Sequence, residues 1–365
     1  MDVTLVVDAL APPLTGIGRY TLELCRRIPL QPSVGRVRYY LHRQFLEDPD
    51  QLLAGKALPR RRRVSRWINR RLADARLRAS VVHGPNFLLP DEIETGIVTI
   101  HDLSVFRFPE THPAERLRAF ERDFPHSLAR ASHIITDSDT VRRELIAEFG
   151  LSDSNVTAVP LGVAEDFQPR DPAQVHANLA ALGLQPGHYG LCVSTLEPRK
   201  KIAELIRAWS ALPVSVRTST PLVLAGAKGW LNEQLHAEIR DGVAAGWLLH
   251  LGYVPDTILP ALYAGACLFV YPSSYEGFGL PPLEAMASGV PVLVANRSCL
   301  PEICSDAAGY IDPDDVSGFS NAISEALTDS AWRTAARERG LQRAAGFTWD
   351  KCAAMTASIY SSVFR

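Results

Sequence analysis

Short apolar runs alternate with longer stretches of helical periodicity along the whole chain, and this alternation limits the possible folds more than any other feature. Short apolar runs suit strands buried on both faces, and the amphipathic stretches between them suit helices that cover a parallel sheet. The predicted strands are Val3–Val7, Val37–Leu41, Ser80–His83, Ile97–Ile100, His133–Thr136, Val156–Val159, Tyr189–Ser194, Pro221–Ala225, Trp247–Leu251, Cys267–Tyr271 and Val290–Val294. The predicted helices include Gly18–Ile28, Pro113–Ala131, Thr140–Phe149, Ile202–Ala211, Leu231–Ala244, Pro281–Ala287 and Val316–Leu327. We therefore expect an α/β fold.

The alternation forms two series, which indicates two domains. A chain of 365 residues is too long for one ordinary core. Residues 167–186 are rich in Pro, Asp and Gln and separate the series, so we place the interdomain link there. We predict domains over 1–168 and 169–345 and a terminal segment over 346–365. Two doubly wound, Rossmann-like domains that face each other would bring their strand ends into one cleft, where ligands bind in such folds.

Composition excludes several classes of protein. The chain is 47% hydrophobic and 21% charged, which indicates a globular rather than a disordered protein. A formal net charge of -2 gives no sign of nucleic-acid binding. No run reaches the roughly 18 apolar residues of a membrane-spanning helix, and the start lacks the basic region of a signal peptide. The six cysteines are scattered without a C-x-x-C pair, so we expect reduced thiols in a cytoplasmic protein.

The strongest local signal is residues 273–285, Ser-Ser-Tyr-Glu-Gly-Phe-Gly-Leu-Pro-Pro-Leu-Glu-Ala, between a predicted strand and a predicted helix. Gly277 and Gly279 allow the backbone to come close to a ligand. The free N–H groups at the helix start favour an anion such as a diphosphate. Glu276 and Glu284 bracket this turn, and one carboxylate could hold a sugar and the other a ribose. The structural alternative is a glycine-rich turn with a capping glutamate.

A second signal is the run of three cations in the string Glu197-Pro198-Arg199-Lys200-Lys201, which follows the strand predicted at 189–194. We expect the cations to face one crevice and to neutralise a diphosphate as it leaves. The alternative is an exposed helix start. Cations there oppose the helix dipole, however, and an anionic ligand would resolve that conflict.

Two weaker signals lie in the first half of the chain. Gly16 and Gly18 form a glycine turn after the first strand, but Thr21 stands where the dinucleotide fingerprint requires glycine. His101 and Asp102 follow the strand that ends at Ile100, and the end of a strand is the usual place for a ligand contact. A lone histidine is more often structural, so His101 gains its weight from the other motifs.

The stretch Lys56–Arg78 carries ten basic residues and one acidic residue, with Trp67, Ile68 and Leu72 interleaved. One interpretation is a solvated helix face. The other is an amphipathic element that docks on anionic lipid headgroups. We keep both interpretations open.

In order along the chain, these strings resemble the retaining glycosyltransferases of family 4, which have the GT-B architecture. Further similar strings are Val-Pro-Leu-Gly-Val at 159–163, Leu-Ala-Gly-Ala-Lys-Gly-Trp at 224–230, Gly-Tyr-Val-Pro at 252–255 and Phe-Thr-Trp-Asp-Lys at 347–351. The last string resembles the closing helix of the family, which crosses back to the first domain. The resemblance covers nearly the whole chain, and within the family it points to bacterial mannosyltransferases of O-antigen and capsule assembly. The chain departs from the pattern at Ser194, where some relatives have an arginine.

The resemblance implies roles for the matched residues of the second domain. Glu276 would contact hydroxyls of the donor sugar, and Glu284 would contact the ribose. Lys200, together with Arg199, would bind the diphosphate. The other donor-side candidates are Gly277, Phe278, Gly279, Leu280, Tyr253 and Val254.

In the first domain, the resemblance implies that Gly16 lies by the donor phosphates. His101 would contact the donor sugar near the reacting carbon, so His101 and Glu276 are the catalytic candidates. The acceptor-side candidates are Arg19, Tyr20 and Asp102.

The resemblance implies a retaining hexosyltransferase that needs no metal or other cofactor. The donor would be GDP-mannose, or a GDP-hexose such as GDP-rhamnose, bound by the second domain. The acceptor would be a saccharide on a lipid carrier, bound by the first domain, in lipopolysaccharide, O-antigen or exopolysaccharide biosynthesis. Such an enzyme would lie peripherally on the inner membrane face, with Lys56–Arg78 as the contact. The alternatives are a nucleotide-sugar epimerase of the same fold and a non-catalytic sugar-nucleotide-binding protein.

Overall fold

The structure is a computed structural model that describes residues 1–55, 73–227, 229 and 233–364. The chain divides into two compact units. Unit 1 comprises Met1–Leu103, Ala114–Gly162 and Thr348–Arg365, and unit 2 comprises Ser104–Pro113 and Val163–Phe347. The end of the chain therefore returns to unit 1, and the short segment 104–113 belongs to unit 2.

Unit 1 is built on a seven-stranded sheet in the order β3-β2-β1-β4-β5-β6-β7. All neighbours pair in parallel except β2 and β3, which are antiparallel. The strands are β1 (Val3–Val6), β2 (Val37–Leu41), β3 (Gln44–Leu46), β4 (Val81–Gly84), β5 (Gly96–Ile100), β6 (Ala131–Thr136) and β7 (Val156–Ala158). With helices numbered through the whole chain, those of unit 1 are α1 (Gly16–Arg27), α2 (Asp50–Leu53), α4 (Ala114–Ala129), α5 (Asp139–Phe149) and α15 (Trp349–Val363).

The closing helix α15 is held in unit 1 by a buried face and a defined start. The Thr348 side chain accepts a hydrogen bond from the backbone N–H of Lys351, which caps the helix. Trp349 and Tyr360 are buried in unit 1. A Cβ at Gly162 would lie 2.1 Å from the Trp349 backbone nitrogen, so only glycine allows α15 to pack at this point.

Unit 2 is built on a six-stranded parallel sheet in the order β10-β9-β8-β11-β12-β13. The strands are β8 (Gly190–Val193), β9 (Leu222–Ala225), β10 (Leu248–Gly252), β11 (Leu268–Tyr271), β12 (Val292–Ala295) and β13 (Ala308–Ile311). The helices are α3 (Ser104–Arg107), α6 (Pro172–Ala180), α7 (Ile202–Ser210), α8 (Val214–Ser219), α9 (Glu233–Ala244), α10 (Leu259–Ala264), α11 (Leu280–Ala287), α12 (Leu300–Cys304), α13 (Val316–Thr328) and α14 (Ser330–Ala344). Strands β9, β11 and β12 are fully buried, which explains their continuous apolar sequences.

The structure confirms the predicted α/β alternation, with element ends shifted by one or two residues. The segment 167–186, which composition marked as a link, instead contains α6 and belongs to unit 2. Its proline and acidic residue form a helix start, with Asp171 in a capping box and Pro172 at the first helical position. Val175 and Leu179 are then buried in unit 2. The chain passes between the units earlier, at Gly162–Val163.

The basic stretch Lys56–Arg78 lies outside the described residues up to residue 72. In its described part, Arg78 forms an ion pair with Glu94, and the Arg76 guanidinium lies over the ring of Phe45. No helix within the described ranges is long and apolar enough to cross a membrane.

Candidate functional site

The two strongest motifs follow neighbouring strands of the unit 2 sheet. β8 leads into the turn that holds Glu197, Arg199 and Lys200, and β11 leads into the turn that holds Glu276. The strand order reverses between β8 and β11, because the chain continues from β8 to β9 on one side and later returns to β11 on the other. A crevice at the carboxyl ends of strands at such a reversal is the usual ligand site of an open α/β sheet. Glu197, Arg199, Lys200 and Glu276 together form what we call the charge cluster.

The charge cluster is a buried network of ion pairs. Lys200 Nζ lies 2.6 Å from Glu276 Oε1 and 3.3 Å from the Tyr271 hydroxyl. Arg199 Nη2 lies 3.0 Å from Glu197 Oε1, and Nη1 lies 3.6 Å from Glu276 Oε2. All four charged residues are buried. The two motifs, which the sequence separates by 76 residues, thus share one site.

Two cations and two carboxylates make the charge cluster neutral overall. Burial alone would raise the pKa of Glu276, but the charges of Lys200 and Arg199 outweigh burial and hold that pKa below its ordinary value. The carboxylate is therefore ionised and ready to accept hydrogen bonds. Burial raises the pKa of Tyr271 well above its ordinary value, and the nearby Glu276 charge adds to this, so the phenol keeps its proton.

The expectation that all three consecutive cations face one crevice is wrong for Lys201. Its backbone is left-handed, with φ of 54°, and this reverses the direction of the chain. Its Nζ lies 2.9 Å from Asp314 and 3.2 Å from Glu204. Lys201 is thus paired at the surface, whereas its neighbour Lys200 is buried.

The turn between β11 and α11 is tightly constrained. Gly279 has φ of 99° immediately before the helix, and a Cβ there would lie 2.9 Å from the Leu300 side chain. The Glu276 backbone N–H donates to Ser298 Oγ at 3.1 Å. The Ser298 hydroxyl and the Cys299 thiol both donate to the Glu276 carbonyl. These contacts hold the Glu276 backbone in place between two strand ends.

The other donor-side candidates occupy different environments. Phe278 is buried, and its ring centroid lies 5.8 Å from that of Phe347, so its side chain is part of the core of unit 2. Glu284 is buried in α11 near Tyr263, and burial together with the Glu284 charge raises the pKa of that phenol. Leu280 is half-buried at the start of α11. Tyr253 and Val254 follow the edge strand β10, with Tyr253 exposed and Val254 buried.

In unit 1, Gly16 and Gly18 have different structural roles. A Cβ at Gly18 would lie 2.8 Å from the Ala9 carbonyl oxygen, so packing requires glycine there. A Cβ at Gly16 would meet no described atom within 4 Å. Gly16 is the exposed first residue of α1, so its missing side chain leaves room for a ligand to approach the backbone.

His101 is buried at the end of β5 with both ring nitrogens in hydrogen-bond range of protein atoms. Nδ1 lies 2.8 Å from Asp137 Oδ2, and Nε2 lies 2.8 Å from the Pro85 carbonyl oxygen. Burial would lower the pKa of His101, but Asp137 and the Pro85 carbonyl raise it above its ordinary value. The ring is thus fixed within unit 1, and contact with a sugar through a ring nitrogen would require one of these bonds to break.

Tyr20, predicted on the acceptor side, lies in the core. Its side chain is 1% exposed, and its hydroxyl lies 2.9 Å from Thr99 Oγ1. Thr99 Oγ1 lies 2.8 Å from His83 Nε2, and His83 Nδ1 lies 2.6 Å from the Tyr360 hydroxyl. This chain of hydrogen bonds joins α1 to α15 and argues against a direct acceptor contact by Tyr20. The other acceptor-side candidates, Arg19 and Asp102, are partly exposed.

Sequence reasoning missed three residues that shape these sites. Asp137 follows β6 and pairs with His101, Tyr271 ends β11 and contacts Lys200, and Ser298 follows β12 and holds the Glu276 backbone. Each lies at the carboxyl end of a strand. Attention to polar residues at every strand end would have found them.

Comparison with known proteins places the chain in a family. Residues 185–343 match the family described as glycosyl transferases group 1. The chain is 38% identical to the O-antigen chain mannosyltransferase B of Escherichia coli, with 99% of both chains covered. It is 27% identical to the O-antigen chain mannosyltransferase RfbU of Salmonella typhimurium, over 65% of this chain and 62% of that protein.

Solved structures show the same fold. WaaG, a glycosyltransferase involved in lipopolysaccharide biosynthesis, matches with a TM-score of 0.72 at 17% identity, over 98% of this chain and 99% of that one. Anabaena HepE in complex with UDP and glucose matches with a TM-score of 0.73 at 16% identity, over 99% and 100%. The chain thus has the GT-B fold, and with the full-length sequence match it belongs to the glycosyl transferases group 1 family and is a glycosyltransferase.

Proposed function

We propose that this enzyme transfers mannose from GDP-mannose to a saccharide acceptor, with retention of the anomeric configuration, in O-antigen assembly. The name of the Escherichia coli relative, which is similar over the full length, supports the sugar and the process. The buried charge cluster at the strand-order reversal of unit 2 is the observation that carries the reaction type.

The charge cluster suits a reaction in which a diphosphate leaves. Negative charge grows on the diphosphate as its bond to the sugar breaks, and the guanidinium of Arg199 and the ammonium of Lys200 can stabilise it. We propose that Lys200 turns from Glu276 to the diphosphate when the donor binds. The Glu276 carboxylate, already ionised, then accepts hydrogen bonds from hydroxyls of the donor sugar.

The start of α11 supplies the rest of the proposed donor site. Gly277 and Gly279 let a diphosphate approach the backbone of this turn, but Pro281 and Pro282 carry no N–H, so the helix itself offers few donors at this end. Glu284, inside the same helix, is proposed to hold the ribose. The roles predicted for Gly16 toward the phosphates and for His101 toward the sugar stay predictions.

We further propose that the acceptor is a lipid-linked saccharide and that no metal takes part. The cations of the charge cluster supply the positive charge that a metal would otherwise bring to a diphosphate. Peripheral attachment through Lys56–Arg78 would bring the enzyme to such an acceptor.

A donor screen tests the proposed function. The purified enzyme is mixed with GDP-, UDP- and dTDP-sugars, and thermal stability is measured with and without a saccharide acceptor, followed by product mass. A donor that binds tightly raises the melting temperature by mass action. We expect GDP-mannose to give the largest shift and a product heavier by one hexose.

Three outcomes would contradict the proposal. Conversion of the donor alone into another nucleotide sugar would indicate an epimerase. Binding without turnover across a broad acceptor set would indicate a non-catalytic binder. A product whose anomeric carbon is inverted relative to the donor, read from the one-bond carbon–proton coupling in NMR spectra, would exclude retention.

A further inference from the structure

Unit 2 contains a cavity at the amino ends of its strands, whereas the charge cluster lies at their carboxyl ends. Its lining includes Gly187, Cys267 and Pro291, which come just before β8, β11 and β12. The charge cluster instead follows the carboxyl ends of β8 and β11. The cavity measures about 340 Å³, which lies in the range of small-molecule sites. We call it the arginine cavity.

Three arginines line the arginine cavity, and none of its lining residues is acidic. Arg170 donates to the Asp166 backbone carbonyl at 3.0 Å, and Arg333 donates to the carbonyl of Ala326 at 3.2 Å. The Arg337 Nε lies 3.3 Å from where a Cβ of Gly289 would be. As far as the structure describes the chain, none of the three arginines forms an ion pair. Arg170 and Arg333 thus donate to backbone carbonyls, Arg337 is exposed, and within the described residues no carboxylate pairs with any of the three.

Two buried polar atoms of the lining lack a hydrogen-bond partner among the described residues: Ser288 Oγ and Arg170 Nε. Ser288 is only 3% exposed. A buried donor or acceptor without a partner costs free energy, and most such groups in proteins are paired or bound to water or a ligand. A hydroxyl and a guanidinium N–H are both donors suited to an anion with several oxygens.

We propose that the arginine cavity binds a phosphate group, either free or as the monoester of a small molecule. Guanidinium groups bind phosphate oxygens in pairs of parallel hydrogen bonds, which makes arginine suited to this anion. Arg170, Arg333 and Arg337 supply the charge, and Ser288 supplies a hydroxyl. This binding does not depend on which donor the enzyme uses.

The arginine cavity also contacts the helix that carries donor-side residues. Ser288 follows the last residue of α11, and the glycine turn with Glu276 precedes the first residue of the same helix. Phosphate in the arginine cavity would thus lie at the carboxyl end of α11, and the proposed donor site lies at the amino end of the same helix.

Isothermal titration at one fixed, low ionic strength tests this proposal with inorganic phosphate, glucose 6-phosphate and glucose. We expect saturable binding of at least one phosphate and none of glucose. Arg337→Gln and Arg170→Gln should each weaken that binding by about tenfold, because each removes a charge-assisted contact. Arg240→Gln is the matched control. Arg240 is exposed on α9 outside the cavity, and the substitution removes the same charge as the two cavity variants do.

The Lys200→Ala variant distinguishes phosphate bound in the arginine cavity from phosphate bound at the charge cluster. It should leave the affinity for phosphate unchanged. If either arginine variant is unfolded by circular dichroism, Thr334→Glu replaces it, because a carboxylate at this exposed lining position should repel the anion. If glucose 6-phosphate binds more tightly than inorganic phosphate, the cavity is a site for phosphate monoesters. If inorganic phosphate binds more tightly, the cavity is a site for free phosphate. The proposal is overturned by absence of phosphate binding, by loss in Lys200→Ala but not in the arginine variants, or by equal loss in Arg240→Gln.

Discussion

Lys200 and Lys201 are adjacent in the sequence, yet their side chains lie in different environments. Lys200 is buried against Glu276, and Lys201 pairs with Asp314 at the surface. Removing one partner of a buried pair leaves a charge without compensation and costs roughly 3–5 kcal/mol. Exposed pairs contribute about 1 kcal/mol or less. Substitutions in the charge cluster therefore affect stability as well as chemistry, and the variants must be chosen accordingly.

Glu276→Gln should lower the transfer rate by about tenfold to a hundredfold. The amide keeps the shape of the side chain but loses the charge that strengthens a hydrogen bond from a donor hydroxyl, a loss of roughly 1.5–3 kcal/mol. Glu276→Ala should also destabilise the fold, because Lys200 would then be buried without its partner. Steady-state rates and melting temperatures check both expectations. Glu204→Gln is the control, and an unchanged rate in Glu276→Gln would remove this residue from the site.

Lys200→Ala should weaken the binding of nucleoside diphosphates by about tenfold to a hundredfold, since a charge-assisted contact contributes roughly 1.5–3 kcal/mol. Isothermal titration with GDP and UDP measures the affinity. Lys201→Ala provides a matched control, because the same group is lost one position later, where it faces Asp314. Equal affinities for Lys200→Ala and the wild type would exclude Lys200 from the phosphate site.

At the scale of elements, polar residues at neighbouring strand ends in unit 1 form a buried pair. Asp137 after β6 orients His101 after β5 and raises its pKa against the effect of burial. Burial also raises the pKa of Asp137. A group whose pKa is raised on folding stabilises the fold below its unfolded pKa, and this contribution is lost as the pH rises through the folded value. Both groups therefore make the fold less stable as the pH rises.

Asp137→Asn should change the pH dependence of stability. Without the carboxylate, burial should lower the pKa of His101, so the stability of the variant should rise with pH up to about 6.5, the unfolded value, and stay level above it. The melting temperature of the wild type should exceed that of the variant most at pH 6, with a smaller difference at higher pH. Asp102→Asn is the control, because the Asp102 charge raises the His101 pKa less than Asp137 or the Pro85 carbonyl does. A constant difference between pH 6 and 9 would refute the coupling.

The basic stretch Lys56–Arg78 should bind anionic membranes without insertion. It holds ten basic residues against one acidic residue, and each Lys or Arg near an anionic surface contributes about 1 kcal/mol. Vesicle co-sedimentation with neutral and anionic lipid measures the binding, which should fade as salt shortens the Debye length from about 10 Å at 0.1 M to about 3 Å at 1 M. Equal sedimentation of the wild type and a variant with Arg60–Arg63 neutralised would show that this stretch is not the contact.

At the scale of the whole molecule, we expect the enzyme to need no metal ion, so that its transfer activity persists in EDTA. The buried cations Arg199 and Lys200 lie where a diphosphate is expected, so they can take the place of a metal. Asp-x-Asp triplets occur at 48–50, 137–139 and 312–314. However, Asp48 accepts a hydrogen bond from the Asp50 backbone N–H at the start of α2, Asp137 is engaged by His101, and Asp312 and Asp314 both pair with Arg297. Rates measured after dialysis against EDTA, with and without added Mg²⁺ or Mn²⁺, check the expectation. A strict requirement for either ion would contradict it.

Much of the fold could be read from the sequence, because buried strands and amphipathic helices have local periods. Two of the elements that were missed carry weak patterns. β13 is only partly buried at the sheet edge, and α14 has few apolar residues, with buried positions at Ala336, Gly340 and Ala344. The helix α6 was hidden by the prolines and acidic residues that start it.

The sequence by itself determined the α/β class and the placement of the charged and glycine motifs at strand ends, since both follow from residues close together in the chain. The tertiary structure alone decided that β8 lies beside β11, and hence that Lys200 pairs with Glu276. It also decided that Lys201 turns away, that Asp137 orients His101 and that Tyr20 is buried. These contacts join residues far apart in the chain, and their partners depend on strand order and backbone direction, which local periodicity does not contain.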